Sequence, residues 1–303
     1  MSELHRSYWL RQALYEAPPA AAVLEQDISA DVCIVGGGFT GLWTALHITE
    51  QDPSVRVVII ERDLCGSGAS GRNGGFCMSW MSKAAGVLPL AGAQEGVRLL
   101  RAFADGVRRI GAFCEEHRID AEYRLDGWLW TATNPAQLEA WRSTISILDS
   151  HGLHPFATLP REEVQQRSGS RLHLSGVFEA GIATLQPAKL ARGLARVAVE
   201  RGVVIHEQSP MTELVRSPEP VVRTARGSVT ASSVVLALNA WAHELPDFRR
   251  ALLPIGVDAV ITEPVPELLA RIGYSNGMAI SDSRLAVDYY RTTPDGRLSL
   301  GKG

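Results

Sequence analysis

Apolar residues follow two rhythms along this chain, and the change from one to the other marks its elements. Asp31 to Val35 (DVCIV) is a short apolar run ending against Gly36-Gly37-Gly38, which predicts a buried strand stopped by a turn. A helical rhythm follows over about 39–51 and halts at Asp52-Pro53. Val55 to Ile60 (VRVVII) is rich in β-branched residues and predicts a second buried parallel strand, ending at Glu61. Strand, helix and strand make one βαβ unit.

From roughly 94 to 117 the residues Val97, Leu100, Phe103, Val107, Ile110 and Phe113 recur every three or four positions, which predicts a long amphipathic helix, a lid or packing helix. Gly127 to Thr133 (GWLWTAT) reads as a strand, and Asn134 then caps a helix with Pro135 at its first position that runs to about Ser150. This stretch reads as a second domain inserted into the first. Pro187 opens another helix with Leu190, Leu194 and Val197 on one face; Gly202 ends it before the strand Val203 to His206, giving another βαβ-like half. Ser233 to Leu238 (SVVLAL) has the character of a fully buried strand, and from about 250 the chain turns to extended, proline-punctuated segments. Val287 to Arg291 and Leu298 to Leu300 flank Thr293-Pro294-Asp295-Gly296, a turn signal between two strands. Because Gly303 follows that second strand at once, the expectation is a fold whose C-terminal part lies beyond it.

Length and charge narrow the function. With 303 residues and 46% apolar content, the chain can bury two packed domains. Thirty Lys and Arg stand against 33 Asp and Glu, so no basic surplus exists to neutralise a phosphate backbone, and nucleic acid is not an expected partner. Cys33, Cys65, Cys77 and Cys114 form no CxxC pair and lack zinc spacing; they read as reduced thiols, which suits the cytoplasm. The leader around Pro18-Pro19 carries Glu3, Arg6, Arg11 and Glu16 and no apolar signal core. No apolar run approaches the ~18 residues of a membrane span.

Chemistry enters at the first turn. Gly36-Gly37-Gly38-Phe39-Thr40-Gly41 matches GxGxxG between strand and helix. Gly36 suits the tight turn, Gly38 the approach of a pyrophosphate to the backbone, and Gly41 the packing of helix on strand. The amides at the helix start, with the positive end of its dipole, favour an anion there. Glu61 lies twenty residues beyond Gly41 and suits a ribose diol. A merely structural triple-glycine turn would cost about 0.5 to 1 kcal/mol per glycine in lost chain entropy with nothing to offset it. NAD and FAD both present an adenosine ribose, so the acid alone does not choose between them. A second small-residue loop, Cys65-Gly-Ser-Gly-Ala-Ser-Gly-Arg-Asn-Gly-Gly75, does: it can pass backbone amides along an extended cofactor, and a plain nicotinamide domain has no use for it.

At these residues the sequence resembles the D-amino acid oxidase superfamily of FAD-dependent oxidoreductases, most closely its γ-glutamylputrescine oxidase-like branch. The likeness rests on DVCIVGGGFTGLWTAL at 31–46 and IIERDLCGSGASGRNGG at 59–75, supported by DGWLWTATN at 126–134, QPAKLARGL at 186–194, GVVIHEQSP at 202–210 and VVLALNAWA at 234–242. It implies an α/β fold with an FAD/NAD(P)-binding Rossmann-like domain, mainly parallel in its sheet, and an antiparallel-sheet substrate domain. The expected division is 1–85 with 160–248 for FAD, and 86–159 with 249–303 for substrate.

Carried over by position, the resemblance assigns Gly36, Gly38, Phe39, Thr40 and Gly41 to the pyrophosphate, and Glu61 with Arg62 to the adenosine side. It assigns Ala69, Ser70, Arg72, Asn73, Gly74 and Gly75 to the stretch from pyrophosphate to flavin, and Met211 to a backbone contact with adenine. Asn239, Ala240 and Trp241 stand where relatives often have Gly-Ala-Trp, so Asn239 is a departure. Arg72 occupies a position where some relatives carry a flavin-linking histidine, which argues against linkage at that point.

The implied reaction is hydride removal beside an amine nitrogen, then hydrolysis of the imine, with oxygen or another acceptor taking the electrons. It calls for no Ser-His-Asp triad and no metal, and no catalytic side chain is assigned. Relatives that oxidise α-amino acids place an arginine where Thr293 stands, which favours an amine without an α-carboxylate. Arg291, two positions earlier and on the same strand face, is a substrate-side candidate that keeps the question open, as is Tyr290. The rivals are an N-methyl or D-amino acid oxidase or dehydrogenase and a non-catalytic flavin-binding subunit or inactive fragment.

Overall fold

A computed structural model describes residues 6–16, 21–216 and 218–303; Glu3 and the Pro18-Pro19 pair lie outside the described residues. The chain divides into two compact units. The first gathers the described residues of Met1–Asn73, His117–Ala121 and Pro187–Ile255, and the second gathers Gly74–Glu116, Glu122–Gln186 and Gly256–Gly303. Residues 74–85 and 160–186 therefore belong with the second unit.

The first unit is built on six strands in the order Val204–His206, Val57–Ile60, Ile28–Val35, Ser228–Leu236, Val221–Arg223, Glu213–Val215. The first four run parallel and the last two pair antiparallel. Ile28–Val35 holds the centre because Cys33, Ile34 and Val35 are buried and Val57 to Ile60 are buried beside them. Leu24, Ala30, Val58, Ile60, Val222 and Val229 close a core on one side of the sheet. The helices Phe39–Gln51 and Pro187–Glu200 pack on each other and on the parallel strands, and Tyr8–Glu16 packs on the second of them.

Two expectations for this unit need correction. The strand before Pro187, Ala183–Thr184, pairs with Phe76–Cys77 in a two-stranded ribbon of the second unit, so Pro187 to His206 is a helix and strand joined to the first βαβ unit and not a further βαβ half. The apolar strand at 233–238 runs from Ser228 to Leu236 instead, and is not fully buried: Ser232 and Ser233 are exposed and Val234 to Leu238 half-buried. The unit's helices concentrate on Ile28–Val35, Val57–Ile60 and Val204–His206, leaving the end of this strand without equal cover.

In the second unit seven strands lie in the order Asp258–Ile261, Leu298–Lys302, Asp288–Thr292, Ala279–Ser281, Trp128–Ala132, Ser175–Glu179, Phe156–Leu159. All neighbours pair antiparallel except Ala279–Ser281 with Trp128–Ala132. One face carries Leu129, Tyr274, Met278 and Ile280 under the helices Arg161–Ser168 and Pro266–Ile272. On the other, Trp128, Trp130, Phe156 and Trp141 interlock, with ring centroids 5.3 to 6.2 Å apart. The long helix is Ala93–Glu116, as its periodicity predicts, and buries Gly96, Leu100, Val107 and Cys114.

The helix expected over 135–150 is broken. A single 3-10 turn, Pro135–Gln137, is followed by a reversal, and the helix proper is Arg142–Ser150. Glu139 sits at φ 61, a left-handed conformation that a continuous helix excludes. Tertiary contacts impose it: Gln137 is buried, accepting from Thr133 N at 2.6 Å and donating to Asp282 at 3.1 Å, while Trp141 turns inward against Ala132 and Val177. The proline-rich stretch after 250 also holds a helix, Pro266–Ile272, with proline in its first turn and Gly273 at φ 77 behind it.

Candidate functional site

The glycine turn joins Val35 to the helix Phe39–Gln51. The first bond inside that helix runs from Leu42 N to Gly38 O at 2.9 Å, so the amides of Phe39, Thr40 and Gly41 precede it. Phe39 N is taken by Ser70 Oγ at 2.9 Å, a cap supplied by the second small-residue loop. Thr40 and Gly41 keep amides with no partner inside the helix, at its positive end, an arrangement suited to a diphosphate.

Each glycine has a close neighbour where a side chain would begin. A Cβ on Gly41 would lie 2.0 Å from Gly36 O, so helix and strand touch as the motif predicts. Gly36 has φ 118, and a Cβ there would meet Ala237 O at 2.4 Å. The physical demand on Gly38 comes from Ser70 Oγ, 2.9 Å from its missing Cβ, and Gly37 is equally constrained by Cys65 Sγ at 2.6 Å.

Glu61 stands at the end of the second strand with one carboxylate oxygen accepting Gly37 N at 2.7 Å and the other Asp63 N at 2.9 Å. Burial pushes its pKa up, opposed by those two amide bonds, with Asp63 and Glu207 adding to the rise. Since each carboxylate oxygen can accept more than one bond, the group still suits a diol. Arg62 lies over the Trp241 ring at 4.7 Å. Trp241 belongs to the 3-10 turn Asn239–Glu244, and Asn239 enters it at φ 49. That left-handed conformation is one that asparagine tolerates better than most residues.

The second loop is held by its own residues. Arg72 Nε donates to Ser67 O at 2.7 Å, and Asn73 Nδ2 donates to Ala69 O and Ser70 O at 3.1 Å each. Ala69–Gly71 forms a 3-10 turn. Met211 is half-buried against the core of the first unit, two residues beyond Ser209, whose amide donates to Glu61 O at 2.8 Å. Gly74 and Gly75 belong to the second unit, where Gly75 adopts φ 72.

Also in the second unit, Tyr289 packs edge-on against Phe76 at 5.4 Å and covers Gly74, where a Cβ would meet its ring at 2.7 Å. Tyr290 points to the opposite face, bonded to His173 Nε2 at 2.7 Å and edge-on to Tyr274 at 5.6 Å. Arg291 is 1% exposed; its Nε donates to Gly74 O at 2.6 Å, Nη2 to Leu185 O at 2.7 Å and Nη1 to Thr292 O at 3.2 Å. Burial and the neighbouring Arg124 bring its pKa down to about 10. Glu179, 3% exposed, accepts Ser79 Oγ at 2.6 Å, and burial raises its carboxyl to about 7.

Residues 31–303 match the FAD-dependent oxidoreductase (DAO) family along their length. The chain belongs to that family. FAD is thus the dinucleotide of this oxidoreductase, and the Thr40 and Gly41 amides, the glycine turn and the partly buried Glu61 fit it. The oxidoreductase is 31% identical over 306 residues to gamma-glutamylputrescine oxidoreductase of Escherichia coli K12, covering 100% of this chain and 71% of that protein. Its fold resembles glycine oxidase from Bacillus cereus ATCC 14579, with TM-score 0.70 at 20% identity over 90% of this chain and 71% of that one. It also resembles L-amino acid deaminase from Proteus vulgaris, with TM-score 0.71 at 20% identity over 94% and 62% of the two chains.

Sequence reasoning missed a buried support beneath this turn. Glu207, 2% exposed at its side chain, pairs with Arg192 and accepts Cys65 N at 2.7 Å, tying the second loop to the helix Pro187–Glu200. The signal was an acid directly after a strand, within the block GVVIHEQSP. Among the described residues, no cluster of His, Cys, Asp and Glu could hold a metal ion, and no helix is long and apolar enough to cross a membrane.

Proposed function

We propose that this chain oxidises the C–N bond of a primary or secondary amine of the γ-glutamylputrescine kind, giving an imine that water hydrolyses. Bound flavin supplies the hydride acceptor, and the protein supplies binding, orientation and exclusion of solvent. The observation that carries this reading is the 31% identity to gamma-glutamylputrescine oxidoreductase along the whole chain.

In this reading the first unit holds FAD. Gly36, Gly38, Phe39, Thr40 and Gly41 take the diphosphate through backbone amides, Glu61 and Arg62 take the adenosine side, and Met211 and Asn239 frame it. Ala69, Ser70, Arg72, Asn73, Gly74 and Gly75 carry the backbone along toward the flavin. The seven-stranded unit provides the substrate side, and oxygen or another acceptor receives the electrons.

The test is anaerobic titration of the purified FAD-loaded protein with polyamine-type amines, followed by admission of oxygen. Bleaching of the flavin band by amines supports the proposal, and its return with oxygen identifies an oxidase. Bleaching by sarcosine or D-alanine and not by amines moves the assignment to an N-methyl or D-amino acid enzyme. A flavin that no donor reduces indicates a non-catalytic flavoprotein.

A further inference from the structure

Arg291 is chemically conspicuous: a cation 1% exposed on the strand Asp288–Thr292. Its guanidinium meets backbone from three places. Nε and Nη2 reach Gly74 O and Leu185 O at 2.6 and 2.7 Å, and Nη1 reaches Thr292 O. Leu185 N in turn donates to Gly75 O at 2.9 Å, so Arg291 and Leu185 grip both carbonyls of the glycine pair.

The glycine pair is shaped to this grip. At Gly75 a Cβ would fall 2.1 Å from Leu185 O and 2.5 Å from Arg291 Nη2, and φ is 72, so neither the space nor the backbone admits another residue. A planar fork with fixed donor directions suits carbonyls converging from separate segments; a lysine ammonium lacks that geometry. Arg124 Nη2 donates to the same Thr292 O at 2.8 Å, so the carbonyl end of the strand is fixed by two cations.

We propose that Arg291 is a positioning residue that sets the Gly74–Gly75 backbone for the cofactor, and that it does not bind a substrate carboxylate. A group 1% exposed, with each of its three nitrogens already donating to a backbone carbonyl, presents almost no surface to a substrate carboxylate. The substrate half of the inference rests on the amine reading above; the cofactor half rests only on FAD binding.

The experiment uses the full FAD-loaded chain. R291K is expected to weaken FAD about tenfold or more, the equivalent of one charge-assisted hydrogen bond, in reconstitution of apoprotein followed by flavin fluorescence. At saturating FAD, the affinity for benzoate, a carboxylate probe read from the flavin spectrum, is expected to stay at the wild-type value. Y274F, chosen to lower the thermal midpoint without touching Gly74, is expected to leave FAD affinity alone, which separates positioning from general destabilisation. Unchanged FAD affinity in R291K, or a fall in benzoate affinity, overturns the proposal. If R291K does not fold, the wild type decides by phenylglyoxal labelling and peptide mapping. Arg291 is expected to stay unlabelled in the native holoprotein; labelling that benzoate prevents overturns the proposal. Failure of every amine to reduce the flavin sinks the proposed function while leaving these readouts in force.

Discussion

Glu179 offers a quantitative test of the second unit. Its carboxyl stands in register with Trp128 on one side and Phe156 on the other, beneath Ser79, and its Oε2 has no hydrogen-bond partner. Such a site favours the neutral acid and carries it from 4.5 to about 7. Below the unfolded value both states hold the proton and the niche contributes fully. As pH rises toward 7 the unfolded chain releases its proton while the native one keeps it, so stability falls, and the loss is complete once the native carboxyl has ionised. At about 1.4 kcal/mol per pH unit of separation, the penalty approaches about 3 kcal/mol by pH 8. Glu179→Gln mimics the protonated form, retaining an oxygen for Ser79. Urea unfolding of wild type and variant at saturating FAD, at pH 5 and pH 8, should give similar stabilities in acid and a variant more stable by about 2 to 3 kcal/mol in base. A wild-type-minus-variant difference that is the same at both pH values would refute the argument.

Gly41→Ala should destabilise by about 1 to 3 kcal/mol and cost the protein its flavin colour after desalting, because the methyl lands 2.0 Å from Gly36 O. Arg192→Met should cost about 3 to 5 kcal/mol in a denaturant titration, since Glu207, 2% exposed at its side chain, loses its counter-charge. Burial pushes Cys33 up to about 12 and Cys77 and Cys114 to about 11, and holds Cys65 well above its ordinary value. The native protein should therefore resist a thiol reagent at pH 8, and all four cysteines should react once it is unfolded.

The βαβ unit and the long helix were legible because their periodicity reports local burial directly. What was hidden depends on residues distant in sequence. The break near Glu139 follows from Trp141 and Gln137 seeking partners at Val177 and Asp282, which no window over 135–150 contains. Pro266–Ile272 was signalled by Pro266 and Gly273 but is too short to develop an apolar stripe. At the glycine turn the motif anticipates the positive φ of Gly36 and the close packing at Gly41, yet the neighbours that constrain Gly37 and Gly38 are Cys65 and Ser70. Arg291 illustrates the same limit, since strand alternation gives its face while its partners, Gly74 and Leu185, lie far away in sequence.

The central parallel pair sets Val35 beside Leu236, so the cofactor turn has a seam that a ribosome completes late. Closing so long an intervening chain carries an entropic cost that local helices do not face, and such topologies gain their native contacts slowly. While the nascent polypeptide lacks Ala237, Gly36 has no carbonyl against it. Biogenesis of this flavoprotein is thereby ordered: the amino-terminal motif is synthesised first but becomes competent only when the strand Ser228–Leu236 slots in beside it.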